Sequence, residues 1–314
     1  MKDLLRTQDL SRDDVELLLE TAAAFAEDPL RSKSALANKS VAIYMTKPST
    51  RTRLSSESAV AHLGGTPIFI RGDELQLGRG ETIADTAKII SGYCSALIIR
   101  TFAQADVEEL GAHASIPVIN ALTDDDHPTQ LLADWLTIRE NFGKDIVGRK
   151  FVYLGDGNNM SHAWLIMGAI MGAHVVAATP SGKWAPNAKV VEIAKNIAAK
   201  SGGKVEVSHD PEAASKDASV LYTDVWMSMG DSESERDEKV LALSPFAVTE
   251  NLFSLTNKDS IFMHCLPAHR GEEVEASVID GPRSVVWREA YHRRTTIQAI
   301  LYHLIKGDLK GSTH

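Results

Sequence analysis

Five consecutive residues, Ser49-Thr50-Arg51-Thr52-Arg53, put three hydroxyls and two guanidiniums directly after the strand-like run SVAIYM. Hydroxyls donate to phosphate oxygens, and a planar guanidinium binds two of them at once. At a strand-to-helix junction the backbone N–H groups of the helix start add to the same field, so the stretch reads as an anion cradle. It is not a Walker loop, because GxxxxGK[ST] is absent. A second cluster, DDDHPTQ (124–130), follows the run IPVINAL and offers His127 and, one turn into a helix, Gln130. Arg100 closes the run SALIIRT and adds a third cationic or donor group.

Two further clusters carry different chemistry. DVWMSMG places Asp224 and Ser228 at the end of the run SVLYTDV, where a carboxylate suits a substrate ammonium. SIFMHCLP brings Cys265 to the end of another strand, and a cysteine there is either an inert small hydrophobe or a partner for Asp224. The loop GDGNN fails the GxGxxG pattern, and its amides suit an amino acid better than a pyrophosphate. His264 and His269 stand apart across Pro267 with no HExxH or carboxylate-rich pattern, so no metal is expected.

The elements that must position these groups alternate. Nine β-branched runs, SVAIYM, TPIFI, SALIIRT, IPVINAL, KFVYLGD, HVVAATP, KVEVSHD, SVLYTDV and SIFMHCLP, are separated by segments with apolar residues at helical spacing. This is the pattern of an α/β protein with parallel sheets flanked by helices. The scheme restarts near Lys150, which predicts two domains joined by a helix over TQLLADWLTIRENF, with a second long helix over WREAYHRRTTIQAILYHLI. Ser11 and Asp14 resemble a helix cap ahead of VELLLETAAAFA.

Composition sets the outer limits. With 314 residues and 44% hydrophobic content the chain can build two cores. A net charge of −9 argues against a nucleic-acid partner while leaving room for a local anion pocket. No run of 18 apolar residues is present and the first residues are too charged for a signal segment, so a cytoplasmic protein without membrane partners is expected. Cys94 and Cys265 have no CxxC spacing, which fits no disulfide framework.

STRTR followed by Glu57 and LGG, then HPTQ, DVWMSMG and HCLPAHRGEEV, in this order and over nearly the whole chain, resemble the transcarbamylases. STRTR and HPTQ are shared across that family, whereas SMG and HCLP resemble its ornithine branch. The resemblance implies a carbamoyl-phosphate domain over 1–142, completed by a terminal helix over 287–314, and an ornithine domain over 143–286. It implies that Ser49, Thr50, Arg51, Thr52, Gln76, Arg100, His127, Gln130 and Arg293 hold carbamoyl phosphate. Asn159, Asp224, Ser228, Met229, Cys265 and Leu266 are the matching positions on the ornithine side, and Arg51, Arg100, His127, Asp224, Cys265 and Arg293 the catalytic ones. The family's Glu-Asn-Arg is here Tyr291-His292-Arg293, so either Arg293 or Arg294 takes the terminal arginine's role. The implied reaction gives citrulline and phosphate, in arginine biosynthesis or the reverse, without a cofactor, and the implied assembly is a homotrimer. Other acceptors, namely putrescine, an acylated ornithine or aspartate, and a catalytically silent anion-binding homologue are the competing readings.

Overall fold

All nine β-branched runs form strands, and every strand pairing is parallel. The computed structural model describes residues 1–312 apart from 76, 78, 79, 147 and 228–231. The described chain divides into two compact units, residues 1–136 with 290–314 and residues 137–289.

The first unit contains α1 (Arg12–Glu27), β1 (Ser40–Met45), α2 (Thr50–His62), β2 (Thr66–Arg71), α3 (Ile83–Tyr93), β3 (Ala96–Arg100), α4 (Gln104–His113) and β4 (Val118–Leu122). Its sheet runs β2-β1-β3-β4. The inner strand β3 is buried at every position and β2, at the edge, alternates with solvent, as expected where helices cover both faces of only the inner strands. The opposite edge is covered by Leu4, whose N–H donates to Val118 O at 2.9 Å and whose carbonyl accepts from Asn120 N at 2.8 Å. Ser11 and Asp14 cap α1 reciprocally despite the short acid, and Asp14 also accepts the Lys310 and Gly311 N–H groups at 2.9 Å. Those contacts hold its carboxyl below the usual range against the opposing effect of burial.

The helix α5 (Pro128–Phe142) crosses the division, which falls between Leu136 and Thr137, inside the helix and not at its end. The second unit contains β5 (Lys150–Leu154), α6 (Asn159–Met171), β6 (His174–Ala178), α7 (Ala188–Ser201), β7 (Lys204–Ser208), α8 (Pro211–Ser215), β8 (Val220–Thr223), α9 (Arg236–Leu243), α10 (Glu250–Ser254), β9 (Ile261–His264) and α11 (Ala276–Ile279). Its sheet runs β7-β6-β5-β8-β9. The long helix α12 (Val286–Lys306) returns the chain to the first unit.

Both strand orders reverse direction once, between β1 and β3 in the first sheet and between β5 and β8 in the second. At such a point the connections leave to opposite sides, opening a crevice at the carboxyl ends of the strands where ligands collect. STRTR and Arg100 follow β1 and end β3; GDGNN and Asp224 follow β5 and β8.

The core of the second unit gathers Val152, Leu154, Leu221, Phe246, Phe253, Phe262 and Val274. Phe262 is fully buried and meets Phe253 edge-on, with ring centroids 6.5 Å apart. Phe262→Ala is expected to destabilise the fold by about 3–5 kcal/mol, read as a lower urea midpoint. A loss under about 1 kcal/mol would mean that the site refills.

Candidate active site

Three turns leave the carboxyl edge of the first sheet. Met45 and Arg100 are paired in register, so the segments after β1 and β3 start from the same level. Ser49 caps α2, its hydroxyl accepting the Thr52 N–H at 3.2 Å, and Thr50 and Arg51 open the helix. The third turn runs from β4 into α5, whose first residue, Pro128, needs no amide hydrogen there. Just before it, the His127 N–H donates to Asp126 Oδ1 at 2.7 Å. The Asp126 carboxylate also accepts the Thr7 N–H and hydroxyl, each at 2.6 Å. Burial outweighs these donors and pushes the Asp126 carboxyl up to about 6.

From α12, Arg293 enters the same region. It is 2% exposed, its Nη1 donates to Gln130 Oε1 at 2.5 Å, and its Nη2 lies 3.5 Å from both Thr52 Oγ1 and Thr129 Oγ1. Gln130 in turn donates to Asp134 Oδ1 at 2.8 Å. Arg294 turns elsewhere, donating to the Tyr291 hydroxyl at 2.7 Å and lying 3.2 Å from His62 Nδ1. The arginine that the helix presents to this region is therefore Arg293.

The basicity of His127 is held well below its ordinary value, first by burial and then by the charges of Arg293, Arg100 and Arg51. Three guanidiniums from three separate segments thus act on His127. The result is a neutral imidazole among three guanidiniums, a set rich in donors and suited to an oxyanion.

Lys47 was missed by the sequence reading. It is buried, pairs with Asp124 and lies 4.3 Å over the Phe102 ring, so it links the turns after β1, β3 and β4. Its only signal is a lysine immediately before Pro48-Ser49-Thr50.

The second sheet presents an acidic site. Asp224 is 8% exposed; its Oδ1 accepts the Cys265 thiol at 2.9 Å and the Val225 N–H at 2.8 Å. Its Oδ2 accepts from Asn158 Nδ2 at 3.2 Å, while Asn158 Oδ1 caps α6 through the Met160 and Ser161 N–H groups and accepts the Tyr153 hydroxyl at 3.2 Å. Asn158 thus steadies Asp224, and its neighbour Asn159 is the partly exposed first residue of α6. Tyr153 is buried, and burial with the charges of Asp224, Asp156 and Cys265 raises its phenol well above the usual range. Gly157 lets this loop lie against 185–186: a Cβ there would come within 2.2 Å of the Ala185 carbonyl carbon. A buried ion pair, Lys239 Nζ to Asp156 Oδ2 at 2.6 Å, ties α9 to the same loop.

Beyond Cys265 the backbone turns sharply. Leu266 has φ +58°, a left-handed conformation that costs a non-glycine residue about 1–2 kcal/mol. Its N–H donates to His264 Nδ1 at 2.8 Å, which leaves the proton on Nε2, 3.3 Å from Glu273 Oε1. Gln76, Ser228 and Met229 lie outside the described residues.

Comparison with known proteins meets this geometry from the other side. The profile described as aspartate/ornithine carbamoyltransferase, carbamoyl-P binding domain, matches residues 2–140, and the profile of the Asp/Orn binding domain matches residues 147–304. The chain belongs to the aspartate/ornithine carbamoyltransferase family. Among curated members, the ornithine carbamoyltransferase of Pyrococcus horikoshii is 49% identical over 99% of this chain and 98% of its own. That of Pyrococcus furiosus, named as anabolic, is 48% identical over 98% of each. A solved structure of ornithine carbamoyltransferase from Pyrococcus furiosus superposes with a TM-score of 0.92 at 47% identity, covering 98% of both chains. The two family domains are thus present as two parallel-sheet units. No described helix is long and apolar enough to cross a membrane.

The environment of His127 sets a pH dependence. Its folded basicity lies below that of the unfolded chain, so below about pH 6.5 the unfolded state binds the extra proton and stability falls as pH drops. Above that pH both states are neutral and the contribution vanishes. The loss should grow steadily as pH falls from 6.5 to 5, and His127→Gln should remove it, read as the difference between the two proteins' denaturant midpoints across pH 5–7.5. Parallel pH profiles would contradict a neutral, buried imidazole.

Proposed function

We propose that this chain transfers the carbamoyl group of carbamoyl phosphate to the δ-amine of L-ornithine, giving L-citrulline and phosphate. The observation that carries the choice of acceptor is the Asp224 carboxylate with the Cys265 thiol donating to it at 2.9 Å. Within a family that uses aspartate or ornithine, an acidic acceptor site suits the ammonium of ornithine and repels a second carboxylate. The names of the near-identical-length relatives point the same way.

In this reading, Ser49, Thr50, Arg51, Thr52, Arg100, Gln130 and Arg293 hold the phosphate and carbonyl oxygens of carbamoyl phosphate. Gln76 joins them, and Ser228, Met229, Asn159 and Leu266 join Asp224 and Cys265 around ornithine. His127, neutral, donates a hydrogen bond and does not act as a cation. As the amine nitrogen attacks the carbamoyl carbon, negative charge grows on the carbonyl oxygen, and donors already fixed in place stabilise it without reorganising. The bond from carbon to the phosphate oxygen then breaks, and phosphate leaves with its charge still held by the guanidiniums. The ammonium must first lose a proton, for which the Asp224 carboxylate is the proposed acceptor, with the Cys265 thiol beside it favouring the loss. A homotrimer in the cytoplasm, running in the biosynthetic direction, completes the proposal; the name of the Pyrococcus furiosus relative supports that direction.

The test is phosphate release and citrulline formation with carbamoyl phosphate and L-ornithine, beside putrescine, N-acetylornithine and aspartate. Turnover is expected with ornithine only, and turnover with another amine would overturn the assignment of the acidic site. Arg51→Ala should lower kcat/KM by about 10²–10³-fold, the usual effect of removing one donor to a developing oxyanion. Cys265→Ser should leave the fold intact and impair the use of ornithine; unchanged ornithine kinetics would remove the thiol from the mechanism.

A further inference from the structure

The turn that follows Cys265 and Leu266 carries a second group of ligand-type side chains that the proposed reaction does not use. The side-chain donor atoms of His269, Glu272 and Glu273 all lie within 4.8 Å of one another. The sequence argued against a metal because it has neither HExxH spacing nor a carboxylate-rich pattern; the local stretch His269-Arg270-Gly271-Glu272-Glu273 nevertheless folds so that both carboxylates come near the imidazole.

Glu273 is the unusual member. It is fully buried, and its two oxygens are treated differently. Oε1 accepts the His269 N–H and faces His264 Nε2 at 3.3 Å. Oε2 is buried with no hydrogen-bond partner among the described residues and points toward His269 Nδ1, 3.7 Å away. A carboxylate oxygen left without a donor in the interior is costly, by about 1–3 kcal/mol or more. Glu272 is partly exposed and its Oε1 accepts from Arg236 Nη2 at 2.8 Å, while the neighbouring Arg270 is taken up by Asp280. His269 is half exposed, so an ion can enter from solvent.

We propose that His269, Glu272 and Glu273 form a divalent transition-metal site, with zinc the best match to one imidazole and two carboxylates. Two ligands about 2.0–2.1 Å from a tetrahedral zinc stand about 3.3 Å apart, so the 3.7 Å separation of Glu273 Oε2 and His269 Nδ1 needs only a small adjustment. Solvent supplies the fourth position, and the Arg236 contact to Glu272 is the competitor that the ion must displace or share. The metal would act on the proposed active site through Glu273, His264 and the Leu266 N–H, fixing the turn that follows Cys265.

A second group, Asp224, His264 and Cys265, lies in the candidate active site itself and would also attract a soft metal. The test therefore starts from Cys265→Ser, which removes the sulfur ligand. Zn²⁺ binding to the chelator-stripped full chain is followed by competition with a chromophoric chelator, together with thermal unfolding. The proposal expects one equivalent bound per chain in Cys265→Ser with a raised Tm, and at least about tenfold weaker binding when His269→Ala or Glu272→Gln is added. Both added changes are at exposed or partly exposed positions, and circular dichroism checks their folding. Zn²⁺ binding that disappears with Cys265→Ser, or that survives His269→Ala unchanged, would overturn the proposal.

Discussion

The gathering of like charges around one buried imidazole is the constraint on which the first unit depends. Arg51, Arg100 and Arg293 all bear on His127, and a protein interior tolerates such a group only with compensating charge or hydrogen bonds. Part of the compensation is internal: Gln130 accepts from Arg293 and relays to Asp134. Seen this way, the surrounding contacts are scaffolding for a repulsive arrangement. Asp126 and Thr7 fix the start of α5, Lys47 with Asp124 joins three turns, and Ser49 fixes the start of α2. None of these needs to touch a ligand to matter.

The second unit uses the same topology for the opposite sign. Its switch point between β5 and β8 presents Asp224, steadied by Asn158, Val225 and Cys265, where the first sheet presents guanidiniums. Strand order determines where a ligand can sit, and the residues at the strand ends determine which ligand it is. In the proposed reaction one unit holds the anion that leaves and the other the amine that attacks, and each half matches the charge of what it holds.

Much of this was legible in the sequence because its signals are local. The nine strands were visible as short β-branched runs, and STRTR and HPTQ concentrate their donors within a few residues. What was not legible depends on contacts that only folding creates. Thr7 reaches Asp126, Asn158 reaches Asp224 and Glu273 reaches His264, and no spacing along the chain announces these pairs. The choice between Arg293 and Arg294 turns on helix phase, since adjacent residues point about 100° apart and only packing of α12 fixes which faces inward. Similarly, apolar periodicity runs unbroken through α5, so the division within it leaves no mark in the pattern.

The account rests on the claim that the cradle of the first unit is assembled for an oxyanion. Its most direct test is an NMR titration of the His127 imidazole, assigned by comparison with His127→Gln, with and without inorganic phosphate. The account predicts an imidazole that stays neutral well below pH 6.5 in the free protein and becomes markedly more basic once phosphate offsets the guanidinium charges. An imidazole that titrates near 6.5 whether or not phosphate is present would contradict it.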